Sequence, residues 1–219
     1  MVLPLATLER SRTYPSGTTQ LLFSAMLATS LIGPAAALEE LRDGGAIQIC
    51  DRLASAPWDP DAPDLQHAVA FQSLRASEAI AACRDAIDHA PRLRRLHFQL
   101  GRSFDRLGAN QDAFQAYQRA ADLGSGAAKV NIGILFRQGR RFEKNDVKAR
   151  SWFRNAAESG IPEGMYCYAT ALDNGIGGPP DVASAKVWYA KAAERGTAKA
   201  RDALVRLEID GAGTGARCD

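Results

Sequence analysis

The sequence predicts an all-α protein, a right-handed superhelical α-solenoid of stacked antiparallel helix pairs. Three observations predict it. Gly124, Gly160 and Gly196 recur at an interval of 36 residues. The pairs Ala120-Ala121, Ala156-Ala157 and Ala192-Ala193 keep the same interval, as do Tyr117, Phe153 and Tyr189, and Ala113, Ala149 and Ala185. A period between about 20 and 50 residues marks supersecondary units that bury their apolar faces only by stacking. Finally, aromatic residues make up only 7% of the chain and alanine fills many apolar positions, a composition suited to closely packed helices.

Read in order, residues 1–37 have the layout of a secretion signal. Arg10 and Arg12 supply a positive n-region, and Leu21 to Gly33 is an apolar h-region of 13 residues. Ala35-Ala36-Ala37 follows Pro34 and offers a small-residue site for cleavage after Ala37. A buried helix or an uncleaved anchor are the competing readings. The segment is short for a bilayer span, so no stable membrane insertion is expected once it is removed. Residues 38–91 read as N-terminal helices with an expanded loop. A helix over 39–55 carries Ile47, Cys50 and Leu53 on one side, and the prolines of PWDPDAP (57–63) break it. Ser77 is the expected cap of the next helix, whose apolar face is Ala79, Ile80, Cys83, Ala86 and Ile87, ending before Pro91.

The unit over 92–124 places Leu100-Gly101, Phe104, Ala113, Tyr117 and Ala120 at offsets that let two helices cross closely, with Gly101 expected to face Ala113. In the units 125–160 and 161–196 the loop between the helices lengthens. The first runs through Asn131-Ile132-Gly133, Phe136, Gly139 and Trp152-Phe153, the second through Ala169, Leu172, Gly175 and Trp188-Tyr189. Gly124, Gly160 and Gly196 sit where a left-handed residue ends a helix. Ser125, Asn145, Asp181 and Thr197 are candidate N-caps, and Pro162 fits a first turn. Residues 197–219 comprise a capping helix, with Ala200, Ala203, Leu204 and Leu207 inward, and a glycine-rich tail.

These motifs resemble a known family. The run Trp188-Tyr189-Ala190-Lys191-Ala192-Ala193-Glu194-Arg195-Gly196 is similar to the signature of Sel-like repeats, α-solenoid relatives of tetratricopeptide repeats with a longer internal loop. Residues 77–124 resemble tetratricopeptide units, degenerate over 77–91. The resemblance implies a scaffold that binds a protein or peptide on the concave face lined by first helices. In the tetratricopeptide register that face carries Arg95, Phe98, Arg102, Asn131, Ile134, Arg137, Tyr166 and Thr170. Some secreted members of the family regulate a membrane sensor, and a role as a cell-wall adaptor is the alternative implication.

Charge points the same way. From Leu38 onward the chain holds 25 basic and 24 acidic residues, too balanced for a nucleic-acid binder. Residues 92–154, however, hold 14 basic and 5 acidic residues, net +9, which favours a partner of acidic character. Arg140-Arg141 in the loop over 139–145 is a second basic contact surface. Arginine outnumbers lysine 21 to 6, a bias that fits a GC-rich bacterial source. Four cysteines remain after Ala37, and an even number in an exported chain favours disulfides. Cys50 with Cys83 is the expected bridge, on facing helices, and Cys167 with Cys218 requires the tail to fold back. A periplasmic or secreted location follows.

No catalytic pattern emerges. There is no G-x-S-x-G elbow, H-E-x-x-H or phosphate loop, and no serine has lysine three residues on, so a hydrolase of cell-wall or β-lactam substrates is the weakest reading. No cysteine pair is spaced C-x-x-C and the three histidines are scattered, so no metal or cofactor is expected. His97, Trp152 and Trp188 read as packing residues, whereas Trp58 either packs its loop onto the solenoid or meets a partner.

Overall fold

The computed structural model describes residues 34–140, 143–210 and 215–218, with side chains from residue 44 onward. The chain divides into two compact units, Met1–Ala37 and Leu38–Asp219, and the description below is of the second. The h-region and Arg141 lie outside the described residues. Among those described there are α-helices and two short 3₁₀ turns but no strand.

Helix α1 (Pro34–Ala54) ends at the PWDPDAP loop. The 3₁₀ turns Leu65–His67 and Phe71–Ser73 lie in the expanded loop. Helix α2 (Ala76–His89) begins two residues earlier than a Ser77 cap implies. Arg75 is its N-cap and makes no side-chain capping bond, so Ser77 lies inside the first turn rather than capping it. Three antiparallel pairs follow: α3 (Arg94–Arg106) with α4 (Asn110–Asp122), α5 (Gly126–Gln138) with α6 (Asp146–Glu158), and α7 (Pro162–Asp173) with α8 (Val182–Glu194). Helix α9 (Ala198–Asp210) closes the stack against α8, burying Ala200, Ala203 and Leu207.

The 36-residue period has a local cause. After α4 the Gly124 amide bonds the Ala121 carbonyl at 2.9 Å and the Ser125 amide bonds Ala120 at 2.9 Å. The same pair of bonds recurs from Gly160 and Ile161 to Ala157 and Ala156, and from Gly196 and Thr197 to Ala193 and Ala192. This is a Schellman closure, which requires a left-handed residue after the helix. The three glycines supply it with φ of 92°, 83° and 93°. The chain then re-enters a helix. Ser125, Asn145 and Asp181 accept from the amides of Ala128, Lys148 and Ser184, and Pro162 occupies the first turn of α7.

Packing within each pair depends on an aromatic ring of the second helix lying on a small residue of the first. A Cβ at Gly101 would come within 2.5 Å of the Tyr117 ring, and one at Gly133 within 2.5 Å of the Phe153 ring. Gly101 therefore faces Tyr117 rather than the expected Ala113. Ala169 takes the equivalent place in α7 and is fully buried. Trp152 and Trp188 are half-buried against the main core, and Tyr168 meets Trp188 edge-on with ring centroids 5.6 Å apart. α5 packs on α7 directly, whereas the second helices make no comparable contacts with each other, so the first helices line the tighter, inner side of the stack.

Candidate functional site

The inner side of α3, α5 and α7 carries the residues expected to form a binding groove. The chain itself covers much of that side, with different segments at its two ends.

At the α3 end the cover is the loop that follows α1. Phe98 is fully buried, meets the Trp58 ring edge-on at 5.7 Å and tilts against Tyr117 at 5.8 Å. Trp58 is therefore a packing residue. Arg95 forms a two-pronged ion pair with Asp51 of α1, at 3.1 and 3.2 Å. Arg102 corrects an expectation outright, because it does not project into an open groove. It is only 3% exposed, and its guanidinium donates to the carbonyls of Ala54 at 2.6 Å and Val69 at 2.9 Å. Those carbonyls belong to the end of α1 and to the expanded loop, where no helix or sheet partner is available. A buried arginine that satisfies two such groups is a structural residue. Beside it Gln99, also fully buried, donates to Asp51 and Ser55 and touches the sulfur of Cys50. The Cys50–Cys83 disulfide joins α1 to α2 at a Cα separation of 4.7 Å.

The same loop buries an acid. Asp59 is 1% exposed, and one carboxylate oxygen accepts from the Asp61 amide while the other has no partner. Burial raises its pKa to about 6, against the opposing pull of Arg102 and Arg94. Arg94 itself is held by Asp61 through two bonds of 2.6 Å.

At the α5–α7 end the cover is the C-terminal tail. Cys218 is bonded to Cys167 of α7, with Cα atoms 5.0 Å apart. Arg137 donates to the Cys218 carbonyl at 2.8 Å, Tyr166 to the Arg217 carbonyl at 3.1 Å, and Asn174 to the Ala216 carbonyl at 3.2 Å. Tyr166 is thereby 3% exposed, and Thr170, fully buried, shares a hydrogen bond with the Tyr189 hydroxyl at 3.2 Å. Phe98, Tyr166 and Thr170 thus sit in the interior rather than on an open wall. Asn131 is half-buried beside the Tyr117 hydroxyl, and Ile134 is half-buried against the core.

Much of the basic excess over 92–154 is engaged internally. Arg140 pairs with the half-buried Asp105 at 2.5 Å, Arg150 reaches the Pro179 carbonyl, and Arg106 the Gln72 carbonyl. Burial raises the Asp105 and Tyr117 pKa values, and these two groups lie within 3.4 Å of each other. What stays open is a pocket where α5 ends and the tail crosses it, lined by Arg137, Gln138, Lys144, Arg217 and Cys218. Three of its lining residues are basic, and Lys144 pairs with Asp146 at 3.1 Å. The sequence places Arg137 in the groove and Lys144 in the basic loop over 139–145, but gives no sign of Arg217, since the tail's return path is set by the Cys167–Cys218 bond.

Comparison with known proteins matches the Sel1 repeat at residues 107–125, 126–161 and 162–197. Two fungal proteins share sequence with the chain. A chitin synthase regulator, SKT5, of Malassezia restricta is 38% identical over 64 residues, covering 29% of this chain and 4% of that protein. Chitin synthase regulatory factor 3 of Schizosaccharomyces pombe is 32% identical over 90 residues, covering 40% of this chain and 10% of that protein. The chain thus spans only a small part of either. A Sel1 repeat protein from Oxalobacter formigenes superposes with a TM-score of 0.57 and 25% identity, over 67% of this chain and 59% of the other. A protective antigen of uropathogenic Escherichia coli with an SLR fold superposes with a TM-score of 0.61 and 22% identity, over 82% of this chain and 36% of the other. Residues 107–197 thus carry three Sel1 repeats in tandem, and the chain has the helical-repeat solenoid fold of the two superposed structures.

Proposed function

We propose that the chain is exported, to the periplasm or beyond, and acts there as a protein- or peptide-binding scaffold that regulates a membrane sensor or an envelope complex. Sel1 repeats are protein-interaction scaffolds. The observation that carries the export reading is the pairing of all four cysteines of the exported part in two disulfides, Cys50–Cys83 and Cys167–Cys218, downstream of an apolar h-region. Disulfides persist in oxidising compartments and are rare in the cytosol.

The partner contact in this reading is an acidic or carboxylate-bearing segment held at the pocket of Arg137, Lys144 and Arg217. Guanidinium groups bind carboxylates through charge-assisted, often two-pronged, hydrogen bonds. Such a contact weakens with added salt, because exposed charges are screened over roughly 8–10 Å at 0.1–0.15 M.

A second reading, an adaptor for cell-wall synthesis, draws on the two fungal relatives, whose names describe regulators of chitin synthase. Cross-linking in intact cells followed by purification of the tagged chain separates the two. Recovery of a membrane sensor's extracytoplasmic domain supports the first, and recovery of wall-building enzymes supports the second. Recovery only of cytoplasmic proteins, or an intact Met1 on the chain in a soluble cytoplasmic fraction, refutes export.

A further inference from the structure

The tail's path suggests a specific kind of ligand. Residues 215–218 form no helix or turn, and their exposure alternates: Gly215 and Arg217 face solvent while Ala216 and Cys218 are buried. From Ala216 onward, past Gly215 with its φ of 62°, that is the pattern of an extended strand laid on a surface. Three consecutive carbonyls, of Ala216, Arg217 and Cys218, are each received by a different side chain, Asn174, Tyr166 and Arg137. Two of these receivers are on or just after α7 and one is on α5, so the contacts span adjacent repeats. Side chains that bind main-chain carbonyls read extended conformation and not sequence, while the buried alternate positions admit only small side chains. We infer that the α5–α7 inner side is a seat for an extended peptide strand with small residues at two alternate positions, and that the chain's own C-terminal tail fills it as a built-in competitor locked by the Cys167–Cys218 bond.

The occupant is stated by the tail itself: an extended segment of a partner, small at the positions of Ala216 and Cys218. A tethered strand competes at an effective concentration in the millimolar range, and the covalent bond holds it in place. A partner strand therefore gains the seat when the lock is open. A dithiol reductant opens it by thiol–disulfide exchange: its thiolate attacks one sulfur of the bridge, a mixed disulfide forms, and the second thiol of the reductant resolves it. The reductant ends as a disulfide, and Cys167 and Cys218 each end as a thiol. Both sulfur-bearing residues are almost fully buried, at 0% and 2% exposure, so the closed bridge is shielded and exchange is slow.

This inference rests on the scaffold reading and gives it a second site, open only when the tail that completes the pocket of Arg137, Lys144 and Arg217 has left. The test uses the full processed chain carrying Cys218→Ser, which leaves Cys167 as a free thiol under the tail. The probe is a synthetic peptide of residues 209–219 joined through its cysteine to glutathione. Attack by Cys167 on the peptide's sulfur displaces glutathione and leaves the peptide on the protein, which mass spectrometry counts. The expected result is capture at least about 10-fold faster than that of the same peptide with Ala216→Trp, and a loss of most of that preference when Arg137→Ala and Tyr166→Phe are added. Equal capture of both peptides, or a preference that survives loss of the two receivers, overturns the seat. Circular dichroism of each variant checks that the helices persist. Because the probe is the tail peptide, failure here leaves the cross-linking outcome untouched, and recovery of no envelope partner leaves the peptide result standing.

Discussion

Replacing Arg102 with alanine is the perturbation for which the structure predicts the largest single-residue effect. The guanidinium is 3% exposed and satisfies the carbonyls of Ala54 and Val69. Removing it leaves both acceptors buried without a donor, at about 1–3 kcal/mol each, so a loss of about 2–6 kcal/mol is expected. The change also removes a positive charge that lowers the pKa of Asp59, so the variant's stability falls more steeply with rising pH than the parent's. Arg102→Lys supplies one compact donor in place of a planar fork and should recover about half of the loss. Urea unfolding of the processed chain, followed by circular dichroism at 25 °C, measures this through the midpoint at constant slope. A midpoint for Arg102→Ala within about 0.5 kcal/mol of the parent would mean that the loop over α3 does not depend on this residue, and the assignment of Arg102 to structure would fail.

Other outcomes follow from the same packing. Gly133→Ala places a Cβ 2.5 Å from the Phe153 ring and should cost about 1–3 kcal/mol, whereas Ala169→Gly in the equivalent position should cost about 1 kcal/mol or less through helix propensity and a small void; both are read by the same unfolding curves. Cys50→Ser with Cys83→Ser opens a bridge between residues 33 apart and should lower stability by about 3–4 kcal/mol, with thermal unfolding as the check. Asp59 has a folded pKa of about 6, above its unfolded value of 3.8, so the folded state binds its proton more tightly. Its contribution is most favourable below about pH 4 and is lost as pH rises through about 6. Asp59→Asn should therefore raise stability near pH 7, by up to about 3 kcal/mol, and the gain should vanish below pH 4; a gain that is constant with pH would refute the burial argument.

The repeat architecture was legible because its determinants are local. An Ala-Ala pair followed at fixed spacing by glycine encodes a helix end, and Ser125, Asn145 and Asp181 encode helix starts, each within a few residues of its partner. Gly101 against Tyr117 was legible as a close crossing but not as that particular contact, since periodicity gives the face of a helix and not the rotamer of the ring on it. The groove was less legible. Its residues were placed on the correct helices, but whether a helix face is open depends on segments with no period of their own. The loop over 55–69 and the tail over 215–218 have irregular backbones, and their paths are set by Arg102, Trp58, Arg137 and the Cys167–Cys218 bond at separations of 33 to 81 residues from their partners. The one sequence signal for the tail was Cys218 itself, which had to find a partner.

The inner side of the solenoid is already occupied, by the loop over α3 and by the tail over α5 and α7. Hydroxyl-radical footprinting with peptide mass spectrometry tests it on two side chains, Tyr166 under the tail and Phe98 under the loop, which are 3% and 0% exposed. In the oxidised processed chain both should resist labelling. In the Cys167→Ser, Cys218→Ser double variant, Tyr166 should label at least several-fold faster while Phe98 stays protected. Rapid labelling of Tyr166 in the oxidised parent, or a rate that opening the lock leaves unchanged, would contradict the claim.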